Sequence, residues 1–138
     1  PLVATIAVAL AGHGRNLPFA FKRKEAKDPG EGGASVGAPL AGRVLIVDDV
    51  ISAGTSVRES VALIKANGAE PCGVMIALDR QERGTGELSA TQEVTQGYGI
   101  PVVSIATLDD MIGYLRQKPE MAQNLLAVLE YKNQYGVS

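Results

Sequence analysis

The sequence predicts an α/β fold in which a mainly parallel sheet is flanked by helices. Three observations carry that expectation. VLIV (44–47), CGVMIAL (72–78) and PVVSIA (101–106) are short apolar runs of strand length, the kind that parallel sheets bury. Segments with helical spacing lie between and after them. The two patterns alternate along the chain, and such alternation, joined by right-handed crossovers, builds a parallel sheet. The 138 residues are read as one domain, 1–138.

Taken in order, the chain opens on PLVATIAVALA, which is almost wholly apolar. It has no basic leader of the signal-peptide kind and no initiator Met. It is expected to be a buried helix from the middle of a domain, preceded in the natural protein by an N-terminal part. His13 sits in a glycine-flanked turn and reads as a surface residue. LPFAF (17–21) is expected as a strand. The stretch 22–42 is charged, then glycine-rich, and no helical or strand period survives in it. A long mobile loop is expected there, and long structureless loops in compact domains are usually functional or disordered.

Residues 43–48 read as a buried strand. Residues 55–67 have helical spacing, with Val57, Val61, Leu63 and Ile64 on one face and Gly68 as the stop. The run 72–78 is a second buried strand ending at Asp79, with Cys72 as a buried thiol. Residues 82–86 form a polar turn, 89–97 a helix and 101–106 the third strand. Residues 108–115 and 119–135 read as closing helices. No internal repeat is visible.

Composition narrows the function classes. Apolar residues make up 46% and charged residues 20%, and the formal net charge is −2. That balance gives no global field favouring nucleic acid. The single cysteine allows no intrachain disulfide and points to a reducing, cytoplasmic compartment. No run approaches transmembrane length, so no membrane partner is expected.

The chemistry concentrates in VLIVDDVISAGTS (44–56). In open parallel sheets, ligands sit beyond the carboxyl ends of the strands. Asp48 and Asp49 stand at such an end. The loop Ser52, Ala53, Gly54, Thr55, Ser56 then leads into a helix N-terminus, where free N–H groups and the helix dipole attract an anion. Three hydroxyls add donors, and Gly54 lets the backbone approach closely. The loop lacks the Gly-Lys-Ser/Thr of a Walker loop and is no G-x-G-x-x-G turn, so a monophosphate fits better than a triphosphate. The two carboxylates suit ribose hydroxyls or a hydrated Mg²⁺ nearby. A ribose 5-phosphate satisfies both halves. Simple helix capping accounts for one polar residue, not five around Gly54. A phosphoacceptor receiver domain shares the acidic pair, but its acceptor Asp ends the third strand counting the acidic-pair strand as the first, whereas Asp79 ends the second, and it lacks the hydroxyl loop.

At these residues the sequence resembles the type I phosphoribosyltransferases, whose signature for 5-phosphoribosyl 1-diphosphate (PRPP) is similar to VLIVDDVISAGTS. KRKEAKDPGEGG (22–33) resembles the catalytic loop of the orotate phosphoribosyltransferase family, and ALDRQERG (77–84) its orotate-side segment; the likeness continues through KPEMA. The resemblance implies the type I phosphoribosyltransferase fold with a mobile catalytic loop at 22–42. It implies conversion of orotate and PRPP to orotidine 5′-monophosphate and pyrophosphate, in pyrimidine biosynthesis. Mg²⁺ would enter through PRPP, with no direct protein ligand. Asp48 and Asp49 would hold the ribose hydroxyls. Val50, Ile51, Ser52, Ala53, Gly54, Thr55 and Ser56 would form the PRPP loop, and Ser52, where the family is familiar with Thr, would also face orotate.

Arg80 would pair with orotate, for which a guanidinium fork is suited; a surface ion pair with Asp79 or Glu82 is the alternative. Arg23, Lys24 and Lys27 would neutralise the departing pyrophosphate, Arg23 and Lys27 acting on the neighbouring subunit's site and Lys24 on its own, which implies a homodimer. Two departures stand out: Pro29 replaces a common His, and the family's N-terminal helical hood and Tyr-Lys-Gly loop have no counterpart before Pro1. A non-catalytic PRPP-binding regulator is a second reading, but it would not need the loop cations. A phosphoribosyltransferase for another base is a third, disfavoured by LDRQERG.

Overall fold

The computed structural model describes residues 1–22 and 35–137. Helix α1 (Leu2–Gly12) leads to β1 (Ala20–Lys22) and β2 (Ser35–Gly37), which pair antiparallel with Phe21 opposite Val36. Strand β3 (Arg43–Asp48), helix α2 (Thr55–Ala66), strand β4 (Glu70–Asp79), helix α3 (Ala90–Tyr98) and strand β5 (Val102–Thr107) then alternate. Helix α4 (Leu108–Arg116), a 3₁₀ turn (Pro119–Met121) and helix α5 (Ala122–Tyr135) close the chain. The sheet is parallel in the order β3-β4-β5, as the alternating pattern predicts.

One face of this sheet carries the core. Ile46 pairs in register with Val74 and Val74 with Val102. Ile76, two residues on, shares the face of Val74 because side chains alternate along a strand. Val57, Val61 and Ile64 of α2 are buried in the same cluster as Ile46, Val74 and Ile76. Local signals close the helices where expected. Gly68 takes a left-handed φ of 72° after α2, and capping boxes open α3 (Ser89 with Gln92) and α4 (Thr107 with Asp110).

Four expectations need correction. The first segment is a helix lying along β1 and β3, but among the described residues it is not buried: Val8 is 73% exposed and no residue of α1 falls in the core. Its apolar residues run all round the helix, so one packed face cannot cover them. The strand expected at 17–21 is confined to Ala20–Lys22, because Pro18 has no N–H for a ladder and the partner strand has three residues. Within the stretch read as loop at 22–42, Lys22 ends β1 and Ser35–Gly37 forms β2, which is too short to show a period. Cys72 is half-buried. Pairing passes from Val44–Pro71 to Leu45–Gly73, so Cys72 is the extra residue of a bulge and leaves the regular alternation.

Candidate functional site

The acidic pair is built by the end of β3. Asp49 N–H donates to Asp48 Oδ1 at 3.0 Å and Val50 N–H to Asp49 Oδ1 at 2.7 Å. The Asp49 carbonyl accepts from Ala77 N–H at 2.9 Å and Leu78 N–H at 3.1 Å, which ties the turn to β4. Ile51 is buried in the core and pins the loop from below. Gly54, at φ 67°, is the N-cap of α2, in the left-handed region where other residues are strained. Ser52, Ala53, Thr55 and Ser56 are exposed around it. Among the described residues no side chain caps α2, and its first turn holds no acidic residue. The free N–H groups there face the cradle and suit an anion. Ser56 Oγ donates to Asp48 Oδ2 at 2.7 Å, joining the cradle to the carboxylates.

A cleft of about 570 Å³ is lined by Asp48, Asp49 and Ser56 together with Lys22 and Ser35. Lys22 and Ser35 are register partners. Arg23, Lys24, Lys27 and Pro29 lie outside the described residues, but both ends of their segment therefore stand at the cleft that holds the acidic pair. Lys22 is itself ion-paired with Glu59 of α2, and that hydrogen bond holds the Glu59 carboxyl below its ordinary range.

Arg80 lies just beyond β4 and lines a separate cleft of about 510 Å³ with Arg83, Tyr131 and Tyr135. Its Nη2 pairs with Glu82 Oε2 at 3.1 Å, one of the two ion pairs weighed from the sequence. Its Nε is buried with no hydrogen-bond partner among the described residues. The structure thus gathers Asp48, Asp49 and Ser56 at one cleft and sets Arg80 at another. His13 is exposed, as read.

Sequence reasoning missed how the segment after Arg80 is held. Glu93 Oε1 accepts from Thr85 N–H at 2.7 Å, Thr85 Oγ1 at 2.9 Å and Gly86 N–H at 2.9 Å. The Gly86 hydrogen bond, then that of the Thr85 hydroxyl, lowers the Glu93 carboxyl below the ordinary value of 4.5. A Cβ at Gly84 would stand 2.3 Å from that carboxyl, so a side chain there would push the Glu93 carboxylate off these donors. Arg83 N–H also donates to the Tyr135 carbonyl at 2.7 Å. The glycines of this turn were a signal, but their partner is on another element.

No protein-family model matches the chain. Among curated proteins it is 67% identical over 136 residues to the orotate phosphoribosyltransferase of Laribacter hongkongensis, covering 99% of this chain and 64% of that protein. It is 68% identical over 136 residues to the orotate phosphoribosyltransferase of Chromobacterium violaceum, again covering 99% and 64%. Among solved structures, that of orotate phosphoribosyltransferase from Francisella tularensis matches with a TM-score of 0.79 at 33% identity, covering 99% of this chain and 65% of that one. The UMP synthase of Leishmania donovani shares the fold, with a TM-score of 0.69 at 22% identity over 92% of this chain and 26% of that one. The chain thus spans slightly less than two thirds of the length of the curated relatives it matches.

Proposed function

We propose that the chain, 67% and 68% identical to two curated orotate phosphoribosyltransferases along 99% of its own length, carries the PRPP site of an enzyme of that family, which transfers the 5-phosphoribosyl group from PRPP to orotate. The products would be orotidine 5′-monophosphate and pyrophosphate. The observation that carries this reading is the carboxylate pair at the end of β3, joined through Ser56 to an uncapped helix N-terminus.

In this reading Asp48 and Asp49 accept hydrogen bonds from the ribose hydroxyls. Ser52, Ala53, Thr55 and Ser56, with the Gly54 turn, hold the 5-phosphate against the N-terminus of α2. Val50 and Ile51 complete the turn, and the buried Ile51 keeps it rigid. The bond from the ribosyl carbon to pyrophosphate breaks as a bond to the orotate ring nitrogen forms, and charge builds on the departing group. Fixed cations stabilise such charge, and Arg23, Lys24 and Lys27 are the cations of the segment rooted at this cleft. Arg80, with Ser52, would face orotate.

A divalent cation, Mg²⁺, fits the donor set in a limited way. Asp48 and Asp49 offer hard oxygen donors, whereas Mg²⁺ takes about six oxygens. Among the described residues no group of three or more His, Cys, Asp or Glu is placed to hold a metal. The ion would therefore be carried by PRPP oxygens, with these carboxylates beside it, and would offset diphosphate charge. A homodimer with shared sites and a cytoplasmic location complete the reading. Among the described residues no helix is long and apolar enough to cross a membrane.

Arg80→Lys is expected to raise the KM for orotate roughly tenfold or more while leaving PRPP affinity near its parental value, since an ammonium cannot reproduce a two-pronged contact. Steady-state kinetics with each substrate varied in turn checks this. An unchanged orotate KM would remove Arg80 from the base site.

A further inference from the structure

Gln81, the residue after Arg80, is the one non-glycine residue with positive φ among the described residues, at 52°. An L side chain adopts this region at a cost and keeps it only where its surroundings over-determine it. Here they do. Gln81 N–H donates to Asp79 Oδ1 at 2.8 Å, and Val137 N–H donates to the Gln81 carbonyl at 3.2 Å. The side-chain amide bonds Asp109 twice: Nε2 donates to Asp109 Oδ2 at 3.2 Å, and Oε1 accepts from Asp109 N–H at 3.1 Å. Asp109 is held in turn by Lys132 Nζ at 2.5 Å, and this hydrogen bond, ahead of the one from Gln81, lowers its carboxyl below the ordinary aspartate range. Asp79 is fixed from its other oxygen by Thr91 Oγ1 at 3.0 Å.

The left-handed turn has a consequence for its neighbours. It folds the chain back so that Glu82 reaches Arg80 Nη2 at 3.1 Å. The Arg80–Glu82 pair thus flanks the turn at Gln81, and the turn is locked to α4 through Asp109, which Lys132 of α5 holds in turn. We infer that Gln81 is a positioning residue for Arg80, its amide clamp on Asp109 fixing the turn that carries the Arg80–Glu82 pair. This inference rests on the reading of Arg80 as an orotate-binding group.

Glycine and asparagine both accept a left-handed backbone, and neither can make the two-way bond to Asp109. Gln81→Gly and Gln81→Asn, made in the protein at its natural length, therefore separate the clamp from the backbone strain. Each is expected to raise the KM for orotate about tenfold, the scale of misplacing a substrate-holding group by a fraction of an ångström, with the KM for PRPP within about twofold of the parent. Arg80→Ala run alongside tests the underlying reading. If Arg80→Ala raises the orotate KM while both Gln81 variants match the parent, the clamp plays no positioning part and the inference falls, although Arg80 keeps its role. If Arg80→Ala itself leaves the orotate KM unchanged, the reading of Arg80 falls and takes the inference with it. Should the Gln81 variants fail to fold by circular dichroism, Asp109→Ala carries the test. It removes one of the two bonds and the Lys132 pair and leaves the Thr107–Asp110 capping box in place, so a rise of about threefold or more in the orotate KM is expected from the loosened turn. No rise would overturn the inference.

Discussion

Asp49→Asn is expected to weaken PRPP binding by roughly 30- to 100-fold and to leave the fold intact. The loss follows from charge. A carboxylate accepting from ribose hydroxyls makes charge-assisted bonds worth about 1.5–3 kcal/mol each, and the neutral amide turns one acceptor into a donor that repels a hydroxyl proton. The fold survives because Asp49 is exposed and its structural work is done elsewhere. Its backbone carbonyl takes the bonds from Ala77 and Leu78, and the oxygen of Asn can still accept from Val50 N–H. Isothermal titration with PRPP, paired with a thermal melt, measures both parts. Asp48→Asn is expected to weaken PRPP binding as well and to loosen the bond from Ser56. Unchanged PRPP affinity in both variants would remove the pair from the ribose site.

Ile76→Ala is expected to destabilise this chain by about 3–5 kcal/mol, the upper range for truncating a fully enclosed aliphatic side chain. Ile76 is 0% exposed, in the central strand, with the side chains of α2 in the same cluster. The cavity has no route to collapse, because β3 and β5 hold β4 on both sides. Ile105→Ala in β5 is the control: the side chain is 80% exposed, and the change costs within about 0.5 kcal/mol. Urea unfolding of the two variants beside the parent gives both numbers. Equal losses would mean that the core does not lie where the structure places it.

The contrast between Ile76 and Ile105 shows what the chain reveals in one dimension. Both stand in apolar strand-like runs. Burial depends on which face meets α2, and the local pattern does not specify that: in β5 Ser104 is half-buried while its neighbour Ile105 is exposed. The same holds for α1, whose helical character is written in its composition while its packing is not. Strand β3 begins and ends where its apolar run predicts, because Asp48 and Asp49 terminate it abruptly. Strand β4 starts earlier than its apolar run, at Glu70, because pairing with Arg43 extends the ladder past the hydrophobic stretch. Strand β2 has three residues and no signature at all.

The candidate site divides along the same line. The acidic pair, the left-handed glycine and the hydroxyl loop are neighbours in sequence, so their chemistry is legible as a string. The setting of Arg80 is not. Its turn depends on Asp109, Lys132 and Val137, brought from distant elements, and the Thr85–Gly86 staple depends on a carboxylate one helix turn into α3. Of the two ion-pair partners weighed for Arg80 from the sequence, Asp79 instead serves the backbone of Gln81 and the hydroxyl of Thr91, and Glu82 is the one that pairs.

Orotate-dependent release of pyrophosphate from PRPP is the most direct test of the proposed activity. It is measured with the protein at its natural length, in the presence of Mg²⁺, with orotidine 5′-monophosphate followed as the second product. Pyrophosphate and orotidine 5′-monophosphate should appear in equal amounts, only when orotate is present, and Asp49→Asn should sharply reduce both at limiting PRPP. PRPP binding with no pyrophosphate release on addition of orotate would contradict the transferase reading and leave a PRPP-binding protein on the same fold.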